Sequence, residues 1–327
     1  MKRRKKSVSY AKYGYIFSIP FVVVFLIFSL YPTIYTAVIG FTDLKGLGRT
    51  DINFLEDPFL NFKAIFKNPS FIKSLSNTAI IWLMNFIPQI VIALLLTAWF
   101  TNRRNKLKGQ GAFKFLFYMP NIMTAATIAI LFNSLFAYPK GPVNDLLMML
   151  GISEKPIEFL REGWTARNIV SFIQFWMWYG HTMIILMAGV AGIDPTIFES
   201  AEIDGASGAQ TFFHITLPNL RTIMLYVLVT SMLGGLQMFD IPKLFLNGGP
   251  DNATLTTSVF IYNQAFSGSY MYNRAAAASM IMFIIAVVLS GLLFYFMRDE
   301  DEVKLKKEKK RARKEQARRA KEGGSVV

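Results

Sequence analysis

Six stretches of the chain, 13–42, 79–100, 115–137, 168–193, 222–239 and 275–297, contain no Asp, Glu, Lys or Arg. A helix needs about 20 mostly apolar residues to cross the hydrocarbon core, and a backbone in lipid satisfies its own hydrogen bonds only as a helix or a closed barrel. Stretches of this length exceed a barrel strand, so the sequence predicts an all-α membrane protein of six transmembrane helices. The first stretch follows MKRRKKSVSYAK. It is too long for the core of a signal peptide and ends without a small-residue cleavage site, so it is read as a retained span. A charged fraction of 17% agrees, since soluble domains carry about a quarter.

A net charge of +14 would fit a nucleic-acid partner, but the location of the charge decides against one. Six of the 35 Lys and Arg residues fall in residues 1–12 and twelve in 298–327, flanking the spans as positive-inside anchors do. An even number of spans puts both termini on one side, and the basic tails make that side the cytoplasm. The chain then divides into a basic cytoplasmic tail (1–12), a membrane domain (13–297) and a second basic cytoplasmic tail (298–327), solvated or touching anionic lipid. The 101–112 connection, with Arg103, Arg104, Lys106 and Lys108, fits the inside. The long connections 43–78, 138–167 and 240–274 fit the outside.

The chemistry that is missing narrows the function. With no Cys, disulfides, thiolate metal sites and cysteine nucleophiles are excluded. His181 and His214 are the only histidines, and no carboxylates face each other within the spans, so neither a metal site nor a hydrolytic dyad is predicted. A GxxxxGK[ST] phosphate loop is absent. The spans hold no Asp or Glu, Asp240 lying at a helix end, which leaves proton or ion coupling without a carrier. An enzyme and a proton symporter both fit poorly. A transporter built on this chain binds no cofactor itself and takes its energy from another polypeptide.

One connection departs from the rest. The segment 194–218, DPTIFESAEIDGASGAQTFFHITLP, holds Asp194, Glu199, Glu202 and Asp204 but no Lys or Arg, although span parity places it in the cytoplasm. Locally, Asp194 caps a helix whose first residue is Pro195, Gly205 and Gly208 supply a bend, and a second short helix leads to Pro218. That much describes either a surface helix or a docking site for a soluble partner. The spacing is more specific: Glu199-Ser200-Ala201, three residues, Gly205, nine residues, Ile215, one residue, Leu217-Pro218. It resembles the EAA loop (E-A-A, three residues, G, nine residues, I-x-L-P) of the permease subunits of binding-protein-dependent ABC importers, with Ser200 the one departure. The run Glu-Ser-Ala-Glu-Ile-Asp-Gly-Ala at 199–206 is similar to the carbohydrate branch, of the maltose and multiple-sugar type. Tyr31-Pro32, Phe41-Thr42, Asn61-Phe62, Asn77-Thr78, Pro120, Trp178-Tyr179-Gly180, Phe239-Asp240-Ile241-Pro242 and Gly248-Gly249-Pro250 with Thr254 resemble landmarks of the same branch. Phe132 stands where a Trp is expected.

The resemblance implies a type I ABC importer transmembrane domain in a prokaryotic plasma membrane, importing a carbohydrate, in the first place an oligosaccharide. It implies a second permease subunit in a heterodimer, an ABC ATPase dimer that holds ATP and Mg, and an extracytoplasmic sugar-binding protein. It assigns ATPase coupling to Glu199, Ser200, Ala201, Asp204, Gly205, Ala206, Ile215, Leu217 and Pro218. In that assignment a coupling helix centred on Glu199 to Ala206 sits in a cleft of the ATPase, Glu199 is its charged anchor, Gly205 the turn, and Leu217-Pro218 the joint to the fifth span. It also puts the substrate cavity near mid-membrane, on the spans either side of the loop. Gln174, Trp178 and His181 share a face of the fourth span at i, i+4 and i+7, an aromatic plate with amide and imidazole partners. Ser231, Gly235 and Met238 repeat that spacing in the fifth, and Met123 and Thr127 are counterparts in the third. Such polar residues also suit helix–helix hydrogen bonds, the role expected of Asn85 and Gln89, and Trp178 also suits an interfacial anchor. Pro20, Pro32, Pro88 and Pro120 read as kinks. Two other readings remain. A permease for glycerol phosphate-type solutes is opposed by the lack of Arg and Lys in the six stretches; an ATP-independent six-span carrier or channel would make the loop a surface helix only.

Overall fold

The computed structural model describes residues 11–49, 51–102 and 108–297, with residues 308 and 312. Residues 1–10, the rest of the 298–327 tail, and Arg103, Arg104 and Lys106, which carry the expectations of basic tails and a basic loop, lie outside the described residues. The described chain is helical apart from its connections and one antiparallel bridge between Thr42 and Phe54. α1 (Ala11–Phe25) continues through a π-turn (Leu26–Leu30) into α2 (Tyr31–Ile39). α3 (Leu60–Phe66), α4 (Pro69–Thr101), α5 (Gln110–Ile122), α6 (Ala125–Leu135), α7 (Pro142–Met149) and α8 (Gly163–Ala191) follow. The acidic loop comprises α9 (Pro195–Ile203), α10 (Gly208–Thr211), a second π-turn (Phe212–Thr216) and α11 (Leu217–Asn219). After it come α12 (Arg221–Leu236), α13 (Asp240–Leu246), α14 (Thr257–Phe266) and α15 (Tyr272–Met297).

Five helical segments, Lys12–Ile39, Pro69–Thr101, Gly163–Ala191, Arg221–Leu246 and Tyr272–Met297, are long and apolar enough to cross a membrane; α5 and α6 make a sixth only as a bent pair. The third span is therefore not the single helix expected over 115–137. α5 and α6 meet at 92°, and Pro120, inside α5, is not the break. The break falls where Thr124 adopts extended backbone and its Oγ1 accepts the Thr127 amide at 3.2 Å, capping α6. Threonine is well suited to that position because its short hydroxyl satisfies a donor the helix leaves unpaired.

The two π-turns have a common cause. Each ends two residues before a proline, Pro32 after the first and Pro218 after the second. A proline ring in a helix collides with the carbonyl four residues back, here that of Phe28 or His214, and the wider turn relieves the collision.

The described residues form two compact units. The first takes residues up to 85, 123–174 and 235–284. In it α6 packs against α13, with Ile128, Phe132, Ile241 and Phe245 buried. Asn61 ties down the end of α2, donating to the Gly40 and Thr42 carbonyls at 2.9 Å each, and accepts from Asn273 of α15 at 3.1 Å. The loop between α13 and α14 has Asn247, Gly248, Asp251 and Asn252 at positive φ, so no helix pairs its carbonyls. Side chains from α4 and α8 do so instead. Lys73 donates to Asp251 O (2.5 Å), Asn77 to Asn252 O (2.6 Å) and Leu255 O (3.0 Å), and Arg167 to Ala253 O (3.1 Å) and Asn77 Oδ1 (3.0 Å). Lys73 of α4, Lys114 of α5, Arg167 of α8 and Arg274 of α15 lie within helices that run past the charge-free stretches, which themselves hold no cation.

The second unit takes 86–122, 175–234 and residues from 285 on. Its core is Ala93, Phe100, Met183, Leu186, Val190, Leu220 and Val227. Gln89 makes the helix–helix bond expected of it, to Thr182 Oγ1 at 2.7 Å, whereas Asn85 of the first unit donates within its own helix, to Ile81 O at 2.8 Å.

Candidate functional site

The acidic loop is built from local signals. Asp194 Oδ1 accepts the Thr196 amide at 2.9 Å and its hydroxyl at 2.8 Å, and these donors, the amide first, hold the Asp194 carboxyl below the usual carboxylate range. α9 ends at Ile203, just before Gly205, one of the two glycines expected to supply the bend. Gly205 takes a φ of +74°, its amide bonds to Glu202 O (3.1 Å), and the Ala206 amide bonds to Ala201 O (2.9 Å). This pair of bonds is a Schellman closure, which needs a left-handed residue and so favours glycine. Asp204 closes the helix, and Ala206 lies beyond it. Ser207 and Gln210 then cap α10 reciprocally, at 3.3 and 2.8 Å. Ile215 sits half-buried in the second π-turn, and Leu217-Pro218 open α11, which leads into α12.

Of the Glu199-Ser200-Ala201 triplet only Ala201 is buried. Glu199, Ser200, Glu202 and Asp204 are exposed, and Ile203 is 87% exposed. The Ser200 hydroxyl donates to Thr196 O at 2.9 Å, so the one departure from Ala falls where the side chain meets solvent and is satisfied by its own helix. Beneath, Phe198 packs on the core. A crevice of about 70 Å³, lined by Ala98, Asn102, Phe198, Glu202 and Phe212 among others, lies between the loop and the end of α4. The result is an acidic, isoleucine-tipped helix held on a packed base.

The expected path residues fare unequally. Trp178 stands in the middle of α8, not at its end, so the interfacial-anchor reading does not hold. It is 42% exposed, and its ring lies 5.5 Å from that of His181 at 88°. Gln174, one turn earlier, is buried in the first unit. The Ser231, Gly235, Met238 face does not form. α12 ends at Leu236, where Gly234-Gly235 weaken the helix, and Met238 lies beyond it, buried, its carbonyl accepting from Thr256 Oγ1 at 2.7 Å. Gly235 is covered, since a Cβ there would overlap the Trp82 indole. Ser231 is half-buried. Met123 and Thr127 flank the α5–α6 break, with Thr127 exposed and engaged by Thr124. Tyr118 of α5, not singled out in the sequence, stacks on His181 at 6.3 Å and 30°. Its partner comes from another helix, so no local spacing marks it.

Comparison with known proteins fixes the class. Residues 64–299 match the binding-protein-dependent transport system inner membrane components, and the chain belongs to that family. It is thus a multi-span membrane permease. It is 32% identical over 255 residues (77% of this chain, 83% of the relative) to the lactose transport system permease protein LacF of Rhizobium radiobacter. It is 30% identical over 264 residues (80% and 81%) to the arabinooligosaccharides transport system permease protein AraP of Bacillus subtilis (strain 168). Identity is 29% over 268 residues (81% and 89%) to the multiple sugar-binding transport system permease protein MsmF of Streptococcus mutans serotype c. Its fold is like that of a chain in a crystal structure of a bacterial ABC transporter that imports the acidic polysaccharide alginate, with a TM-score of 0.73 at 24% identity over 87% of this chain and 94% of that one.

Proposed function

We propose that this chain forms half of the translocation pathway of an ATP-driven importer for a carbohydrate delivered by an extracytoplasmic binding protein. A second permease subunit completes the pathway, ATP and Mg are held by a separate ATPase dimer, and both termini lie in the cytoplasm of a prokaryotic cell. One geometric observation carries the reading. The exposed Trp178 ring and the acidic face of α9 are joined by a single helix, α8, with three residues between its end and the start of α9. At 1.5 Å per residue the thirteen residues from Trp178 to Ala191 span about 20 Å, a rigid link from mid-span to a surface loop. Movement of α9 by an ATPase clasping Glu199 and Ile203 therefore reaches the Trp178 wall directly. The names of LacF, AraP and MsmF supply the solute class, and the indole face suits the C–H face of a sugar ring. Glycerol phosphate-type solutes gain no support: Arg167 is engaged by Asn77 and Ala253, and Lys114 lies over the Phe100 ring.

The test is uptake of labelled lactose, maltose and arabino-oligosaccharides by membranes holding the whole importer. For the solute that is carried, Trp178→Ala should lower kcat/KM about tenfold, the loss of one aromatic contact of about 1.4 kcal/mol, with normal amounts of protein in the membrane, and Trp178→Phe should retain most uptake. Unchanged kinetics in Trp178→Ala would remove α8 from the path.

A further inference from the structure

We propose that Tyr118 is a third saccharide-contacting residue, forming with Trp178 and His181 a three-ring corner that takes a neutral, hydroxylated sugar ring. The proposal rests on the reading that α8 lines the solute path and extends that path to α5.

The corner exists because two helices meet unusually closely. Gly180 lies against the Phe117 carbonyl, and a Cβ at Gly180 would stand 3.0 Å from Tyr118 Cα. That approach sets the Tyr118 ring at 30° to His181, while Trp178 stands nearly perpendicular to it at 88°. Two walls and a corner result.

The polar atoms of these rings say what the corner faces. Among the described residues neither the Tyr118 hydroxyl, nor the ring nitrogens of His181, nor the Trp178 N–H makes a hydrogen bond within the protein. No buried side-chain polar atom of a half-buried or buried described residue lacks a partner, so the Tyr118 and His181 atoms are open to their surroundings. A polar group left unpaired in hydrocarbon is strongly disfavoured. A lipid-facing wall would not gather three of them at mid-span. An aqueous path that carries hydroxyl groups satisfies all three.

The corner also selects against charge. No ionised side chain pairs with any of the three rings among the described residues, and Lys114, one turn before Tyr118, is drawn instead over Phe100 at 5.8 Å. Aromatic faces and neutral donors and acceptors suit a neutral sugar, whereas a uronate would bring a carboxylate with nothing to meet it.

The chain has no Cys, so a single thiol can be placed cleanly. In membranes containing the complete importer, Tyr118→Cys and Trp178→Cys should both react with a charged, water-soluble methanethiosulfonate. Lactose, maltose or arabino-oligosaccharides at about ten times Kd should slow both reactions about tenfold. Phe115→Cys, exposed on the same helix, should show no protection. Protection at 178 but not at 118 would overturn the role of Tyr118 and leave the reading of α8 standing; no reaction at either would overturn both. Protection by alginate oligosaccharides alone would overturn the neutral class. Where Tyr118→Cys fails to accumulate, Tyr118→Phe decides. Loss of one hydrogen bond should raise KM about threefold to tenfold with kcat unchanged, whereas a ring that only packs would leave KM where it was.

Discussion

Gly180→Val is expected to remove the protein from the membrane. On an isolated helix the change would be favourable, because glycine in a helix interior costs about 1 kcal/mol relative to alanine. Packing reverses the sign. A Cβ at Gly180 would overlap the Phe117 carbonyl oxygen, with its carbon 2.6 Å away, and these are backbone atoms that no rotamer change can move. α5 and α8 would have to separate, loosening the Phe117 contacts with Phe100 and Tyr179. Overpacking costs about 1–3 kcal/mol even where side chains can adjust, from a total stability of about 5–15 kcal/mol. Immunoblots of membrane fractions should show Gly180→Val reduced by about tenfold or more, at 1.4 kcal/mol per factor of ten, and Gly180→Ala reduced less. Gly234→Ala, where a Cβ meets nothing within 4 Å, should accumulate normally. Normal accumulation of Gly180→Val would show that the helices do not approach as described.

Gly205→Val should give the opposite pattern, with normal accumulation but lost uptake. Space is not the issue, since nothing lies within 4 Å of a Cβ at Gly205. The cost is in the backbone. Its φ of +74° is disfavoured by about 1–2 kcal/mol for an ordinary residue, and a β-branched one suffers most. The closure would open, and Glu199 and Ile203 would no longer be presented in one orientation. Uptake should fall by about tenfold to thirtyfold, the equilibrium equivalent of about 1.4–2 kcal/mol. Gly205→Asn, which tolerates the left-handed region, should keep a substantial part of it. Full uptake by Gly205→Val would mean that the closure does not fix the loop for coupling.

What the residues disclosed in advance follows from the range of the forces involved. Asp194-Pro195 and Gly205 were legible because a cap and a left-handed turn are decided within a few residues. The 92° break was not, because 115–137 is charge-free throughout and the only proline, Pro120, sits away from it; the decisive residue is Thr124, one of two threonines there. Charge-free stretches understated the helices, with α4 starting at Pro69 and not at 79, because a helix outside hydrocarbon tolerates Lys73. Met238 was misplaced because a spacing of i+7 presumes a helix that Gly234-Gly235 bring to an end. Tyr118 and Trp82 matter through contacts with other helices, which no window along the chain contains.

The coupling assignment is tested most directly at Ile203, the most exposed apolar side chain of the acidic helix. In the Cys-free chain, Ile203→Cys should be joined by a short bifunctional thiol reagent to a cysteine placed in the clasping surface of the co-expressed ATPase. Uptake should stop when the link forms and return when a cleavable linker is reduced. Full ATP-driven uptake with no cross-link at 203, in membranes where the ATPase and both permease subunits are present, would contradict the assignment of the 194–218 loop as the point where ATP hydrolysis enters this chain.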